Sequence, residues 1–423
     1  MIHRAVICAA LGLATGIAAA QEKEPTFRKI QLTSDFWSEG AAYADFNHDG
    51  HMDIVSGPFW YEGPDFKTRH EYRHATQQSF TTTNAAGEAV TFPGFEGAHG
   101  EKNDYSDDFL TFTFDINGDG WPDVIVVGFP GKETYWYENP RGNSGLWTQH
   151  TIIDSTDDES PSFGDLFGDG KGELLCCTSN YLGYAAPADW KNPAEKWVFH
   201  RVSPMHPDYQ RFLHGLGFGD VNGDGRNDLI IKDGWYEQPA SCDGDPVWKF
   251  HPFPFAPNGS STMFAYDVNG DGLADIITCL NPHGFGLAWY EQLPEKSADG
   301  ETQFKQHLIL NPDGTPNSYG VAFSQPHSVA LVDIDGDGLK DIVTGKRFWA
   351  HGKHGPDPKS NDPAVLYWFK LVRGENHSAD FVPHLIDSDS GVGTEVLAGD
   401  VNGDGKPDIV VGNKKGTFVF LQQ

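Results

Sequence analysis

The segment that decides the fold is DVNGDGRNDLII, residues 220–231. It places Asp220, Asn222 and Asp224 at positions 1, 3 and 5 of a nine-residue pattern, with a glycine at position 6 and Asp228 at position 9. The pattern D-x-N-x-D-G-x-x-D occurs seven times with small variations, and an apolar run follows each copy. The copies start 47 to 70 residues apart. Such a period indicates a chain built from one repeated structural unit.

The composition of this loop predicts calcium binding. Ca²⁺ takes about six to eight oxygen ligands, many of them carboxylates, and alternate side chains converge when a backbone curls around an ion. The alternative is a set of Asx turns in tight hairpins, but recurrence in seven copies favours calcium. In the third copy, Phe167 replaces the ligand at position 3 and Glu173 replaces the aspartate at position 9, so we expect this loop to bind calcium poorly or to stay empty. The predicted calcium ligands are Asp45, Asn47, Asp49, Asp53, Asp115, Asn117, Asp119, Asp123, Asp165, Asp169, Glu173, Asp220, Asn222, Asp224, Asp228, Asp267, Asn269, Asp271, Asp275, Asp333, Asp335, Asp337, Asp341, Asp400, Asn402, Asp404 and Asp408.

Each repeat also contains the signals of four strands. A short apolar strand precedes the loop and another follows it. The third strand is aromatic, as in Trp235–Glu237, and the fourth has the form aromatic-x-x-His, as in Trp248 with His251. We interpret these outer histidines as hydrogen-bonded packing residues. Four strands in each of seven repeats predict an all-β fold, a seven-bladed β-propeller with four-stranded antiparallel blades.

The last repeat supplies only three strands before the chain stops at Gln423. Residues Phe27–Leu32 have the rhythm of the missing fourth strand. An open row of blades would leave exposed strand edges. We therefore predict that this N-terminal strand closes the last blade by pairing with Phe418–Leu421.

The N-terminus predicts export. Residues 1–20 combine a basic start, an apolar stretch too short to span a bilayer and an Ala-Ala-Ala cleavage signal, which together indicate a signal peptide. The propeller then occupies residues 21–423, and the protein is secreted or periplasmic. The net charge of −30 argues against nucleic acid and anionic membranes as partners and suits a cation-binding protein. After residue 20, the sequence has no run of 18 apolar residues, so no membrane insertion is expected.

The seven loops resemble the FG-GAP and VCBS repeat families, which include the integrin α-subunit propellers. The resemblance covers nearly all of the chain after residue 20. It implies that the calcium loops join the first and second strands of each blade on the bottom face, and it leaves the activity open. A weaker similarity, in blade layout and aromatic strands, is to the propeller of the fungal aldos-2-ulose dehydratases, although this chain has no room for their cupin domains.

If the loops are at the bottom, the innermost strands begin at the top, beside the central channel. The residues six before each loop, with two neighbours, are Glu39, Asp108, Phe109, Glu159, His214, Ser261, His327, Thr394 and Glu395. The ends of the second strands should reach the same face; they carry Lys232, Lys346, Arg347 and Lys414, and His283 follows the strand of repeat five. Three insertions are expected there too: residues 75–107 with His99, Glu101 and Asp104; residues 203–213 with His206, Tyr209 and Arg211; and residues 347–364 with Trp349, His351 and His354.

Two functions remain open for this face. In the first, His214, His327 and Glu159 bind a second divalent metal or act as acid and base, while Lys232 or Arg347 neutralises a developing enolate. That chemistry suits a lyase or dehydratase acting on a sugar acid or keto-sugar. In the second, the propeller only binds a carbohydrate ligand or a protein partner. A third alternative is a polar, water-filled channel with no site.

Overall fold

The computed structural model of the chain describes residues 24–75, 80–83, 89–92, 105–352 and 354–423. The predicted signal peptide lies outside these residues. The described chain is all-β except for one 3₁₀ turn, Glu375–His377. In the described ranges, no helix is long and apolar enough to cross a membrane.

Five of the repeats form separate antiparallel sheets of four strands, arranged as the blades of a β-propeller. The first sheet contains Ala42–Ala44, Asp53–Ser56, Phe59–Tyr61 and Arg69–Glu71. The second contains Leu110–Phe114, Asp123–Val127, Lys132–Glu138 and Thr148–Thr156. The third contains Ser162–Gly164, Glu173–Thr178, Tyr181–Ala186 and Val198–Arg201. The sixth repeat contains Val329–Val332, Asp341–Gly345, Leu366–Arg373 and Ala379–Asp387. The seventh contains Val396–Gly399, Asp408–Asn413 and Gly416–Gln422, completed by Phe27–Thr33.

The fourth and fifth repeats share one sheet of eight strands. Its strands are Leu216–Gly219, Asp228–Ile231, Gly234–Glu237, Lys249–Pro252, Thr262–Tyr266, Asp275–Cys279, Leu287–Lys296 and Thr302–Leu310. The two halves join where the innermost strands pair in parallel, with Leu216 opposite Thr262 and Phe218 opposite Phe264. The expectation of seven separate four-stranded sheets is therefore corrected to five, because these two inner strands lie close enough to form ladder hydrogen bonds. A further hairpin, Phe80–Thr83 with Ala89–Phe92, lies in the first insertion.

The N-terminal strand closes the last blade, as predicted. Phe27–Thr33 pairs antiparallel with Gly416–Gln422, and Phe27 lies opposite Gln422 while Gln31 lies opposite Phe418. Phe27 packs on the core between the sixth and seventh repeats, and Ile30 packs on the core between the seventh and first. The strand thus covers an edge that would otherwise be open and ties the two ends of the chain together.

The residue at position 9 of each loop fixes the hairpin to the third strand. Asp228 is fully buried; one of its oxygens accepts the backbone N–H of Val221 (3.0 Å) and the other that of Gln238 (2.9 Å). The same pair of bonds recurs for Asp53, Asp123, Asp275, Asp341 and Asp408. Glu173 makes the bond within its own loop, to Leu166 (3.0 Å). This scaffolding role was not part of the sequence prediction.

The outer histidines have the packing role predicted for them. His251 lies flat on Trp235, with ring centroids 4.0 Å apart, and its Nε2 lies 2.8 Å from Glu237. The arrangement of stacked tryptophan, histidine and glutamate also occurs at His70, His150 and His307. Because the aromatic residue and the histidine face each other across the third and fourth strands, the repeat pattern itself places them in contact.

Candidate functional site

The innermost strands converge on one end of the channel. Glu39, Phe109, Glu159, His214, Ser261, His327 and Thr394 each lie one to three residues before an innermost strand, as the sequence predicted. Each loop of the repeat lies at the opposite end of its strand and joins it to the second strand. Backbone hydrogen bonds connect the seventh, first and second repeats at this end of the channel. The backbone N–H of Thr394 donates to the backbone oxygen of Glu39 (2.8 Å), and the backbone N–H of Glu39 donates to the backbone oxygen of Asp108 (2.9 Å).

Three histidines and one glutamate meet within this ring, and we call them the channel cluster: Glu159, His214, His283 and His327. The Nε2 atom of His214 lies 3.2 Å from Nε2 of His283 and 3.3 Å from Oε2 of Glu159. The same glutamate oxygen lies 3.5 Å from Nε2 of His327. The four residues come from the third, fourth, fifth and sixth repeats, so the cluster exists only in the closed fold.

Arg347 borders the channel cluster. Its Nη1 lies 2.9 Å from Nε2 of His327 and 3.5 Å from Oε2 of Glu159, and its Nε donates to Glu39 (3.1 Å). Lys414 lies 3.5 Å from the other oxygen of Glu39. Arg347 is only 1 % exposed. Two carboxylates and two cations thus offset one another in the buried part of the site, as buried charges require.

The electrostatics of the cluster keep the glutamate ionised and two of its imidazoles neutral. Burial disfavours the charge of Glu159, but His214, His327 and Arg347 hold its pKa well below the usual range. Burial and the nearby Arg347 lower the pKa of His327 to about 3. Burial, His327 and His214 also lower the pKa of His283. The Nδ1 atoms of His283 and His327 are buried and have no hydrogen-bond partner among the described residues.

The predicted cations differ in their placement. Arg347 joins the site, but Lys232 does not: its ammonium bonds Asp233 (2.5 Å), beside the end of its own strand. Lys346 is buried and donates to Ser324 Oγ and to the backbone oxygen of Lys359, both at 2.7 Å. Burial lowers the pKa of Lys346 to about 8. Lys346 therefore anchors the insertion of residues 347–364 rather than pointing at the cluster.

That insertion adds a second group of side chains beside His283. His351 Nδ1 lies 2.8 Å from Oδ1 of Asp357, whose other oxygen accepts the backbone N–H of His351 (3.0 Å). The same Oδ1 lies 3.8 Å from Nδ1 of His283. The sequence prediction named His351 and His283 but not Asp357, because a single aspartate six residues after a histidine carries no motif.

The other insertions contribute less to the described site. Tyr209 is buried in the core between the third and fourth repeats, where it bonds Tyr236 (2.8 Å), and His206 is exposed. His354 is exposed as well. His99, Glu101 and Asp104 lie outside the described residues.

The calcium-type loops hold their shape through backbone hydrogen bonds. In the fourth loop, Asp220 accepts the backbone N–H groups of Asp224 (3.1 Å) and Gly225 (2.8 Å). These are the Asx-type contacts of the alternative interpretation, and they also aim the side chains of positions 1, 3 and 5 at one region. The third loop differs, since Phe167 occupies position 3 and packs edge-on against Tyr184.

In the sixth loop, the carboxylates of Asp333, Asp335 and Asp337 come within 4.8 Å of one another. Lys370 bonds Asp335 and lies 3.1 Å from Asp337. A carboxylate set of this kind fits a hard cation such as calcium, which requires oxygen ligands.

Comparison with known proteins identifies the repeats. The FG-GAP-like repeat family matches residues 115–176 and 267–344, and the FG-GAP repeat family matches residues 392–419. These segments contain five of the seven loops. The phosphatidylinositol-glycan-specific phospholipase D of Bos taurus is 23 % identical over 232 residues, which are 52 % of this chain; the match spans only 24 % of the length of that relative.

Solved structures with similar architecture include two carbohydrate-related proteins. One is an Agrocybe aegerita lectin that recognises non-reducing terminal N-acetylglucosamine, with a TM-score of 0.44, 16 % identity, and coverage of 85 % of this chain and 97 % of the lectin. The other is a rhamnogalacturonan lyase, with a TM-score of 0.38, 12 % identity, and coverage of 90 % and 71 %. The repeat matches and the blades described above show that the chain contains FG-GAP repeats built into a β-propeller.

Proposed function

We propose that this protein is a secreted or periplasmic, calcium-binding propeller whose channel site acts as a lyase or dehydratase on a sugar acid or keto-sugar. The observation that carries the proposal is the convergence of Glu159, His214 and His327 with Arg347 at the channel end of the innermost strands. Groups that move protons and a fixed cation lie together there, as elimination next to a carbonyl or carboxylate requires.

The proposal includes seven blades. The fourth and fifth repeats each supply four antiparallel strands in the same order as the separate sheets. Only a short parallel pairing, from Leu216–Phe218 to Thr262–Phe264, joins the two halves. We therefore count the eight-stranded sheet as two blades.

Calcium in the loops is supported by their donors and by the charge of the chain. Loops other than the third present an aspartate at positions 1 and 5 and an oxygen-bearing side chain at position 3. Carboxylates held this close repel one another unless a cation is present. The net charge of −30 makes this repulsion general to the protein.

The chemistry follows from the states of the site residues. The imidazole of His214, or the neutral imidazole of His327, accepts the acidic proton on the carbon next to the substrate carboxylate or carbonyl. The electrons form the new double bond as the C–O bond at the adjacent carbon breaks, and water or a second imidazole protonates the departing oxygen. Arg347 is too buried to serve as a surface clamp, but its charge lies close enough to stabilise the negative charge that develops.

Burial of the site favours a second candidate function. His327 and Arg347 are each 1 % exposed, whereas the side chains of His283 and His351 are 25 % and 34 % exposed. A site reached mainly through its rim suits a module that binds a glycan or protein without transforming it.

The test is an elimination assay on uronate-containing polysaccharides and free sugar acids, followed by the ultraviolet absorbance of the unsaturated product. We expect turnover that His214→Ala reduces by at least about 100-fold, since general acid–base groups contribute on that order. The control His377→Ala alters an exposed histidine of the 3₁₀ turn and should leave the rate unchanged. Binding without any product would support the second candidate, and full activity in His214→Ala would refute the site.

A further inference from the structure

The geometry of the channel cluster fits a bound metal ion. Zinc–nitrogen bonds are about 2.0–2.1 Å long, so four ligands in a tetrahedron stand about 3.4 Å apart. The measured separations are 3.2 Å from His214 to His283, 3.3 Å from His214 to Glu159 and 3.5 Å from His327 to Glu159. All four ligand atoms lie within 4.8 Å of one another.

The chemistry of the ligands points the same way. Three imidazoles suit zinc, copper, iron or nickel and not calcium or magnesium, which prefer oxygen. The channel site is thus chemically distinct from the loops.

We propose that Nε2 of His214, His283 and His327, together with the carboxylate of Glu159, bind one divalent transition-metal ion. This inference deepens the proposed function by naming the group that its site holds, and it replaces the direct acid–base role of His214 and His327, because a nitrogen atom that binds the ion cannot also accept a proton. It rests on that function only for the role of the ion in the reaction. An ion in this position would supply a Lewis acid for the substrate oxygen.

Asp357 acts as a positioning residue for this ion. A histidine that binds metal through Nε2 carries its proton on Nδ1, and a carboxylate acceptor for that proton raises metal affinity. The Nδ1 atom of His283 is buried without a hydrogen-bond partner in the described ranges, and Asp357 Oδ1 lies 3.8 Å away. His351 holds the same carboxylate from the other side at 2.8 Å. Arg347 opposes metal binding, because its hydrogen bond to Nε2 of His327 must break before that atom can bind the ion. The hydrogen bond from Arg347 to Glu39 remains and keeps the guanidinium in place.

The experiment is a zinc titration by calorimetry in excess calcium, after the protein has been stripped with chelator and the calcium restored. We expect one tight zinc site that calcium does not block. His283→Gln should weaken zinc binding by at least about 100-fold, and Asp357→Asn by about 10- to 100-fold. His377→Ala is the control and should match the unaltered chain. Thermal melts in calcium identify any variant that fails to fold.

Two outcomes overturn the inference. One is that the unaltered, folded protein binds no zinc in excess calcium. The other is that folded His283→Gln binds zinc as tightly as the unaltered chain. Elimination by zinc-free protein that His214→Ala abolishes would keep the proposed function and refute a role for the ion in the reaction. Tight zinc binding without elimination would keep the ion and refute the reaction.

Discussion

Replacing Asp228 with alanine should destabilise the protein even when no calcium is present. The side chain is fully buried, and its two oxygens accept the backbone N–H groups of Val221 at 3.0 Å and Gln238 at 2.9 Å. Alanine leaves both donors without an acceptor. A buried unsatisfied donor costs about 1–3 kcal/mol, so we expect a loss of about 2–6 kcal/mol. Asp228→Asn keeps one acceptor oxygen and should lose about half as much.

The assay is denaturant unfolding at neutral pH, in excess calcium and again in excess chelator. Asp243→Ala, at an exposed position of the same repeat, is the control and should change the free energy of unfolding by no more than about 0.5 kcal/mol. If Asp228 mainly anchors the backbone, the loss persists in chelator. A loss that appears only in calcium would show that position 9 acts chiefly as a calcium ligand, and the backbone argument would be refuted.

Four further predictions concern the loops and the ring closure. Chelator should lower the melting temperature by several degrees or more, because ions bound only to the folded state stabilise it. In calcium, Asp224→Ala should lower the free energy of unfolding more than Asp169→Ala does, because the loop of Asp169 already lacks a ligand. Equal losses in denaturant melts would contradict this ranking. In chelator, the free energy of unfolding should rise as pH falls from 8 towards 5. Burial raises the pKa of Asp228 to about 7 and also raises the pKa of the position-9 aspartates in the other loops, so the folded state retains protons that the unfolded state releases. A free energy of unfolding that increases with rising pH over this range would refute the prediction. Deleting residues 21–32 should lower the melting temperature markedly, since it removes most of the strand Phe27–Thr33, and an unchanged calorimetric melt would show that this strand is dispensable.

The repeat made much of the fold predictable from sequence. Seven loops with the same nine-residue pattern specify strand, loop and strand, and the aromatic and histidine signals specify two more strands. The pairing of Phe27–Thr33 with the last repeat followed from counting strands. The parallel joint between Leu216 and Thr262 could not be foreseen, because it depends on how closely two inner strands approach and not on their composition.

The candidate site was predictable only where the repeat fixed the position. His214, His327 and Glu159 sit at the same place in three repeats, so their convergence followed from the ring. His283 lies after a second strand, and its distance from the channel is set by the path of its loop. Lys232 occupies a similar place but pairs with Asp233, because an adjacent carboxylate captures its charge locally.

The most direct test is anomalous X-ray diffraction at a transition-metal absorption edge, on crystals of protein saturated with zinc in excess calcium. We predict one anomalous peak within bonding distance of His214, His283, His327 and Glu159, and no such peak in the calcium-type loops. Crystals in which the four side chains keep their mutual hydrogen bonds and show no peak between them would contradict the central claim that the channel end of this propeller is a metal centre.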